Sequence, residues 1–141
     1  MSAPDFSGKY TLERNENFDE FLAENGVPWM ARKMAGMATP TLDVQQDGKS
    51  FIFKLASRMQ SRDVAFTVGQ EYEEKQPNDV IMKVCPSLED NKLVLTYTPL
   101  EQFRHLAKPQ VHTREVSGNT LTLTLQVGDL TAKRIFQKDA S

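Results

Sequence analysis

Thr120-Leu121-Thr122-Leu123-Thr124-Leu125-Gln126-Val127, followed at once by Gly128-Asp129, is the stretch that decides the fold. Successive side chains on a strand point to opposite faces, so this strict alternation places four aliphatic residues against a core and leaves the polar partners outside. The Gly-Asp pair that ends it is tight-turn chemistry. The same texture extends upstream. Leu93, Leu95 and Tyr97 share a face, as do Val64, Phe66 and Val68, then Phe51, Phe53 and Leu55, then Leu42 and Val44. Turn signals punctuate these runs at Asp47-Gly48, Val68-Gly69, Gln76-Pro77-Asn78-Asp79, Asp90-Asn91 and Ser117-Gly118-Asn119. A spacing of about ten residues between turns is the mark of a sandwich or an up-and-down barrel. With an opening strand at residues 6–14, the count reaches about ten strands.

Such a meander has two unpaired edges, and closing the sheet on itself removes them. The expected architecture is therefore all-β: a ten-stranded antiparallel up-and-down barrel, closed by main-chain hydrogen bonds. Side chains alone do not fill a barrel of this width, so a ligand-sized cavity is expected inside.

Only residues 17–36 have helical spacing. Asn17 is placed to cap a first helix, with Glu20 in the capping-box position, Phe18, Phe21 and Leu22 on one face, and Gly26 at the end. A second helix is expected over residues 28–36, with Pro28 in its first turn. Each is too short to be stable alone, so both must dock on something. A helix-turn-helix lid over about residues 16–37, within one domain spanning 1–141, is the expected organisation. Trp29, Met30, Met34 and Met37 are expected to pack on the barrel rim, with a membrane-contacting or ligand-gating surface as the alternative.

The bulk properties exclude several classes. With 141 residues, 26% charged and 39% hydrophobic, the chain is of ordinary globular composition. A net charge of −2 gives no reason to expect nucleic acid as a partner. Cys85 is the single cysteine, so no internal disulfide forms, and beside Pro86 it reads as an inert buried thiol. Met1-Ser2-Ala3-Pro4-Asp5 has neither a basic nor an apolar run, so no secretory signal is read there and the cytoplasm is the expected compartment. His105 and His112 lack the partners a metal site needs. No Gly-x-Ser-x-Gly, phosphate loop or dinucleotide fingerprint occurs. Glu73 and Glu74 alternate faces and cannot act as a dyad. No enzyme, no catalytic residue, no metal and no cofactor is expected.

Phe6-Ser7-Gly8-Lys9-Tyr10, Glu16-Asn17-Phe18-Asp19-Glu20-Phe21-Leu22, Gly26-Val27 and Arg32-Lys33 resemble the start of the intracellular lipid-binding proteins, the family of fatty-acid-binding and cellular retinoid-binding proteins. The likeness continues through Phe66-Thr67-Val68-Gly69-Gln70-Glu71-Tyr72-Glu73-Glu74, Asn91-Lys92-Leu93-Val94 and Thr113-Arg114-Glu115-Val116, and closes with Arg134-Ile135-Phe136-Gln137-Lys138. The resemblance implies a ten-stranded barrel with a helical lid. It also implies a ligand carboxylate held by two inward arginines and a tyrosine, which fall here on Arg114, Arg134 and Phe136. Phe136 departs from that pattern because it has no hydroxyl. Tyr10 stands where many members have tryptophan, and Met59 near their portal phenylalanine. The connection at residues 99–109 is longer than in fatty-acid binders and nearer to that of retinoic-acid binders.

Parity supports one of the arginines independently. Arg134 shares a face with Leu130, Ala132 and Phe136, where a guanidinium is costly unless it meets an anion. Arg114, between His112 and Val116, is ambiguous on parity. The apolar wall is Leu42, Phe51, Phe53, Phe66, Leu95, Leu123 and Leu125, for which parity does not separate cavity from core. The cavity and portal candidates are Trp29, Met34, Met59, Phe66, Leu123 and Leu125. The expected role is intracellular binding and transport of a long-chain fatty acid, with retinoic acid as the alternative ligand. A monomer with transient membrane contact through the lid completes the expectation.

Overall fold

The computed structural model describes residues 4–58, 61–76 and 78–140. The strands are β1 (Gly8–Glu16), β2 (Thr41–Asp47), β3 (Ser50–Ala56), β4 (Ser61–Thr67), β5 (Tyr72–Lys75), β6 (Ile81–Glu89), β7 (Lys92–Pro99), β8 (Gln110–Ser117), β9 (Thr120–Val127) and β10 (Leu130–Lys138). Two helices, α1 (Phe18–Glu24) and α2 (Trp29–Met37), lie between β1 and β2. The strands form one ten-stranded sheet in the order β4-β3-β2-β1-β10-β9-β8-β7-β6-β5. Every pairing is antiparallel, and β1 joins β10 to bring the two ends of the chain together.

The sheet curls into a nearly closed barrel, with one correction to the sequence expectation. Main-chain pairing does not close the ring, because β4 and β5, consecutive in the chain, are the two ends of the sheet order. The opening strand is also displaced, running Gly8–Glu16, so that Phe6 precedes it. Phe6 is nonetheless fully buried, and the Tyr10 hydroxyl donates to its carbonyl at 2.9 Å.

The alternation read from sequence matches the burial. Leu42, Val44, Phe51, Phe53, Phe66, Leu93, Leu95, Tyr97, Leu121 and Leu125 are all buried. The hairpins are tight for the reason that their residues suggest. Asp90 and Asn91 both take positive φ (52° and 66°), the pair of left-handed residues that a two-residue hairpin turn requires.

The helices depart more. Asn17 precedes α1 with φ 56°, and its side chain makes no capping bond. Instead Asn17 Nδ2 donates to the Thr131 carbonyl at 3.1 Å, tying the start of the lid to β10. An asparagine accepts the left-handed conformation better than most residues, and a tertiary contact has replaced the capping box. Pro28 likewise lies just outside α2, as its N-cap. Helix α1 docks as expected: Phe21 is buried against Leu125, Val127 and Ala132, with Phe18, Leu22 and Leu123 beside it. Helix α2 buries no residue at all. Trp29 is 57% and Met30 65% exposed, with Met34 and Met37 also exposed, so the expected packing of these four on the rim does not occur.

Candidate functional site

A cavity of about 240 Å³ lies inside the barrel beneath α1. Its wall is mostly aliphatic and aromatic, including Leu42, Phe53, Phe66, Leu95, Leu123, Leu125 and Phe136. Phe51 is buried in the same cluster but does not line the cavity, which settles its place as core. Of the charged groups, Arg62, Arg114, Arg134 and Glu74 reach the lining. Arg62 is matched by Glu74 at 3.0 Å. The other two guanidiniums have no acidic partner among the described residues, so the lining carries a net charge of +2.

Strand register positions the two arginines. On β8, Arg114 pairs with Leu123; on β10, Arg134 pairs with the same Leu123. They therefore flank one residue of β9, two strand spacings or roughly 10 Å apart at the backbone. Arg134 is only 9% exposed. Its Nε donates to Asn15 Oδ1 at 3.0 Å, and its guanidinium lies over the rings of Phe18 (4.1 Å) and Phe136 (5.7 Å). Asn15 is neutral, and desolvation draws the Arg134 pKa down to about 10.

Arg114 sits over the ring of Phe53 at 4.8 Å, and its Nη1 is buried without a hydrogen-bond partner. Burial lowers its pKa, while the neighbouring Tyr97, Tyr72 and Glu74 act in the opposite sense. The Tyr72 hydroxyl is also buried, beside Tyr97, and desolvation pushes its pKa up to about 12. The face of β8 that was ambiguous on parity thus turns inward with both His112 and Arg114.

His112 belongs to a polar relay. It meets Gln110 Oε1 at 3.0 Å through Nε2, Gln110 Nε2 donates to Asn25 Oδ1, and Asn25 Nδ2 donates to the Phe21 carbonyl at 2.9 Å. The relay runs from the C-terminal end of α1 to the barrel wall. Between the rings of Tyr97 (4.2 Å) and Phe21 (5.8 Å), His112 is desolvated, and its pKa falls to about 3. It is neutral at physiological pH and adds no charge.

Of the sequence candidates, the structure brings Arg114, Arg134, Phe136, Phe66, Leu123 and Leu125 to one cavity. Trp29 and Met34 are not in its wall and lie exposed on α2. Met59 lies outside the described residues. Sequence reasoning missed Arg62, Glu74, Gln76, Tyr97, Gln110 and His112 as cavity groups. The signal for Arg62 was parity, since it shares a face with Val64 and Phe66. Cys85 is partly exposed on β6, near Glu71 and Lys83, and is not the buried thiol expected. Among the described residues no group of three or more His, Cys, Asp or Glu could hold a metal ion.

A nearly closed antiparallel barrel with an internal, cation-bearing apolar cavity under a helical lid defines a class of small lipophilic-ligand binders. The chain belongs to the Lipocalin / cytosolic fatty-acid binding protein family, whose model matches residues 7–139. It is 35% identical over 133 residues to a fatty acid-binding protein of Tyrophagus putrescentiae, covering 94% of this chain and 96% of that one. It is 32% identical over 140 residues to cellular retinoic acid-binding protein 1 of Bos taurus, covering 96% and 99%. Among solved structures, a Schistosoma mansoni fatty acid binding protein in complex with arachidonic acid superposes with a TM-score of 0.84 at 28% identity, covering 99% of this chain and 100% of that one.

Proposed function

We propose that this protein binds and carries a long-chain fatty acid, with the chain in the barrel and the carboxylate at Arg134 and Arg114. The observation that carries the reading is Arg134: a guanidinium buried among Phe18, Phe136 and Asn15 with no acid beside it. A charge held there has a desolvation cost, and a bound carboxylate offsets it through charge-assisted hydrogen bonds. The tail supplies affinity. About 15 methylenes at ~0.8 kcal/mol each give on the order of 12 kcal/mol before ordering costs are deducted. Division of labour follows: the wall binds any slim hydrocarbon, and the arginines select the acid. The cavity lies below the usual range of roughly 300–1,000 Å³ for small-molecule pockets. The likeness to a retinoic acid-binding protein keeps retinoic acid as the second ligand to test.

The finer assignments belong to the same proposal. The protein acts as a monomeric cytoplasmic carrier of one domain, with no covalent chemistry. Its α2 face, with Trp29, Met30, Met34 and Met37 in water and Lys33 Nζ 4.9 Å above the Trp29 ring, meets a membrane transiently during delivery. No helix among the described residues is long and apolar enough to span a bilayer.

Native mass spectrometry of the purified protein, followed by titration of the delipidated protein with oleic acid, methyl oleate and retinoic acid, tests the reading. Oleic acid binding well ahead of its ester and of retinoic acid supports it. Equal binding of acid and ester removes the role given to the arginines, and preference for retinoic acid transfers the site to the second ligand.

A further inference from the structure

Between β4 and β5 the barrel wall is made by side chains where every other junction is made by main-chain hydrogen bonds. At the turn end of this seam, Phe66 stacks on Tyr72, with centroids 6.3 Å apart and planes 11° from parallel. The Gly69 N–H there donates to the Pro86 carbonyl on β6 at 3.0 Å, fixing the turn. At the other end, Arg62 Nη2 on β4 meets Glu74 Oε1 on β5 at 3.0 Å. The second oxygen of Glu74 accepts from Gln76 Nε2, also at 3.0 Å. Glu74 therefore holds a fixed orientation, and its side chain is only 14% exposed whereas that of Arg62 is 46% exposed. Both residues line the cavity, so the ion pair is at once a tie across the seam and part of the ligand's enclosure.

The paired end of the seam is also the lid end. Asn78, in the turn after β5, approaches the α1–α2 turn so closely that a Cβ on Gly26 would lie 3.5 Å from its Cβ. Val27 of the same turn reaches the cavity wall. The Phe66–Tyr72 stack, with the turn fixed behind it, is the end about which the two strands can part.

We infer that Arg62 and Glu74 form a clasp that holds the β4–β5 seam shut at the lid end and sets the rate at which ligand passes into and out of the barrel; this rests on the carrier reading above. A ladder of main-chain hydrogen bonds opens only by local unfolding, whereas a single ion pair opens by rotation of two side chains. The half-exposed guanidinium can exchange its partner for water at little cost, because exposed pairs are weak. The oriented, mostly buried carboxylate supplies the opposing tendency to re-form the pair, since an unpaired charge there is costly. Arg62 and Glu74 neutralise each other, so the pair acts on passage and leaves recognition of the anion to Arg114 and Arg134.

Stopped-flow mixing with cis-parinaric acid, a fluorescent long-chain acid, tests the clasp in Arg62→Ala, Glu74→Ala, the double alanine variant and the charge-reversed pair Arg62→Glu with Glu74→Arg. Each single variant is expected to raise the association and dissociation rates, about five-fold or more; the ratio of the two is judged on the double alanine variant, in which the net charge of the lining is unchanged and the ratio should stay within two-fold. The double alanine variant should be no faster than either single one, and the reversed pair should return both rates to within two-fold of the parent. A change in dissociation alone, with affinity lost in proportion, would make the pair a ligand contact and overturn the inference, as would unchanged rates. Amide exchange of the ligand-free protein supplies a second readout. It should quicken in residues 61–67 and 72–75 of both single variants and recover in the reversed pair. Unchanged exchange sinks the clasp even if no acid binds, whereas quickened exchange without acid binding sinks the carrier reading and with it any role in passage.

Discussion

Replacing Arg134 by methionine separates recognition from stability in one variant. Methionine keeps the unbranched apolar stem of the side chain and removes the guanidinium with its charge. In the parent, desolvation draws the Arg134 pKa from 12.5 to about 10. A folded-state pKa below the unfolded one means that the charged form is disfavoured by folding, and each unit is ~1.4 kcal/mol. The cost of holding that charge in the ligand-free barrel is thus about 3 kcal/mol. Against it stand the hydrogen bond to Asn15, roughly 1 kcal/mol, and the faces of Phe18 and Phe136, on the order of 1 kcal/mol. The ligand-free Arg134→Met protein should therefore be as stable as the parent or up to about 2 kcal/mol more so, seen as an equal or higher midpoint in thermal or urea unfolding. Its affinity for oleic acid should fall by the value of a charge-assisted hydrogen-bond pair, about 1.5–3 kcal/mol or roughly 10- to 150-fold. Its affinity for methyl oleate should change less than about three-fold, or ~0.6 kcal/mol, because the ester brings no charge for the guanidinium to meet. A destabilised variant that loses acid and ester alike refutes the argument, because Arg134 would then be a structural residue.

Three other perturbations give independent checks. Phe136→Tyr restores a hydroxyl beside the guanidinium and is expected to preserve or tighten oleic acid binding, by up to about 1.5 kcal/mol; marked loss in the same titration would show that the wall must stay apolar there. His112 has a folded pKa of about 3 against 6.5 unfolded, so the unfolded chain takes up the proton first as pH falls. Its contribution is complete above pH 6.5 and fades below it, by about 2 kcal/mol at pH 5, and His112→Gln should flatten the pH dependence of urea unfolding between 7 and 5 by about that amount. Trp29→Ser with Met30→Ser removes apolar surface that α2 keeps in water; transfer of fluorescent fatty acid to anionic vesicles should slow while the dissociation constant stays put, and unaltered transfer would mean that α2 meets no membrane.

What could be read beforehand follows from which interactions are local. The period-two runs at Leu93–Tyr97 and Leu121–Val127 report their own burial, because each strand has one face in the barrel and one in water. Arg134 was legible for the same reason, as a cation on an apolar face. The first helix was legible in extent but not in its cap, because Asn17 answers to Thr131, distant in sequence. Trp29, Met30, Met34 and Met37 misled because an apolar helix suggests burial unless the neighbouring surface is known. The open seam was invisible because it depends on which strands meet after the sheet has curled. Nothing in β4 or β5 alone announces a missing ladder, although Arg62 beside Val64 and Phe66 was a hint of something charged inside.

The pairing of both Arg114 and Arg134 with Leu123 has a consequence for how this chain can tolerate change in length. The separation of the two guanidiniums is ruled by the lattice of the sheet, and the turns at Gly118 and Gly128 are the pins that keep β8, β9 and β10 in step. One residue added to either strand would turn every side chain beyond it to the opposite face and carry an arginine into water. The connection at residues 100–109 bears no such burden, because it joins β7 and β8 outside this triplet. Deletions and insertions should accordingly be lethal to anion recognition in the last two hairpins and mild in that loop, so the chain offers a grafting site on one side of Arg114 and almost no slack on the other.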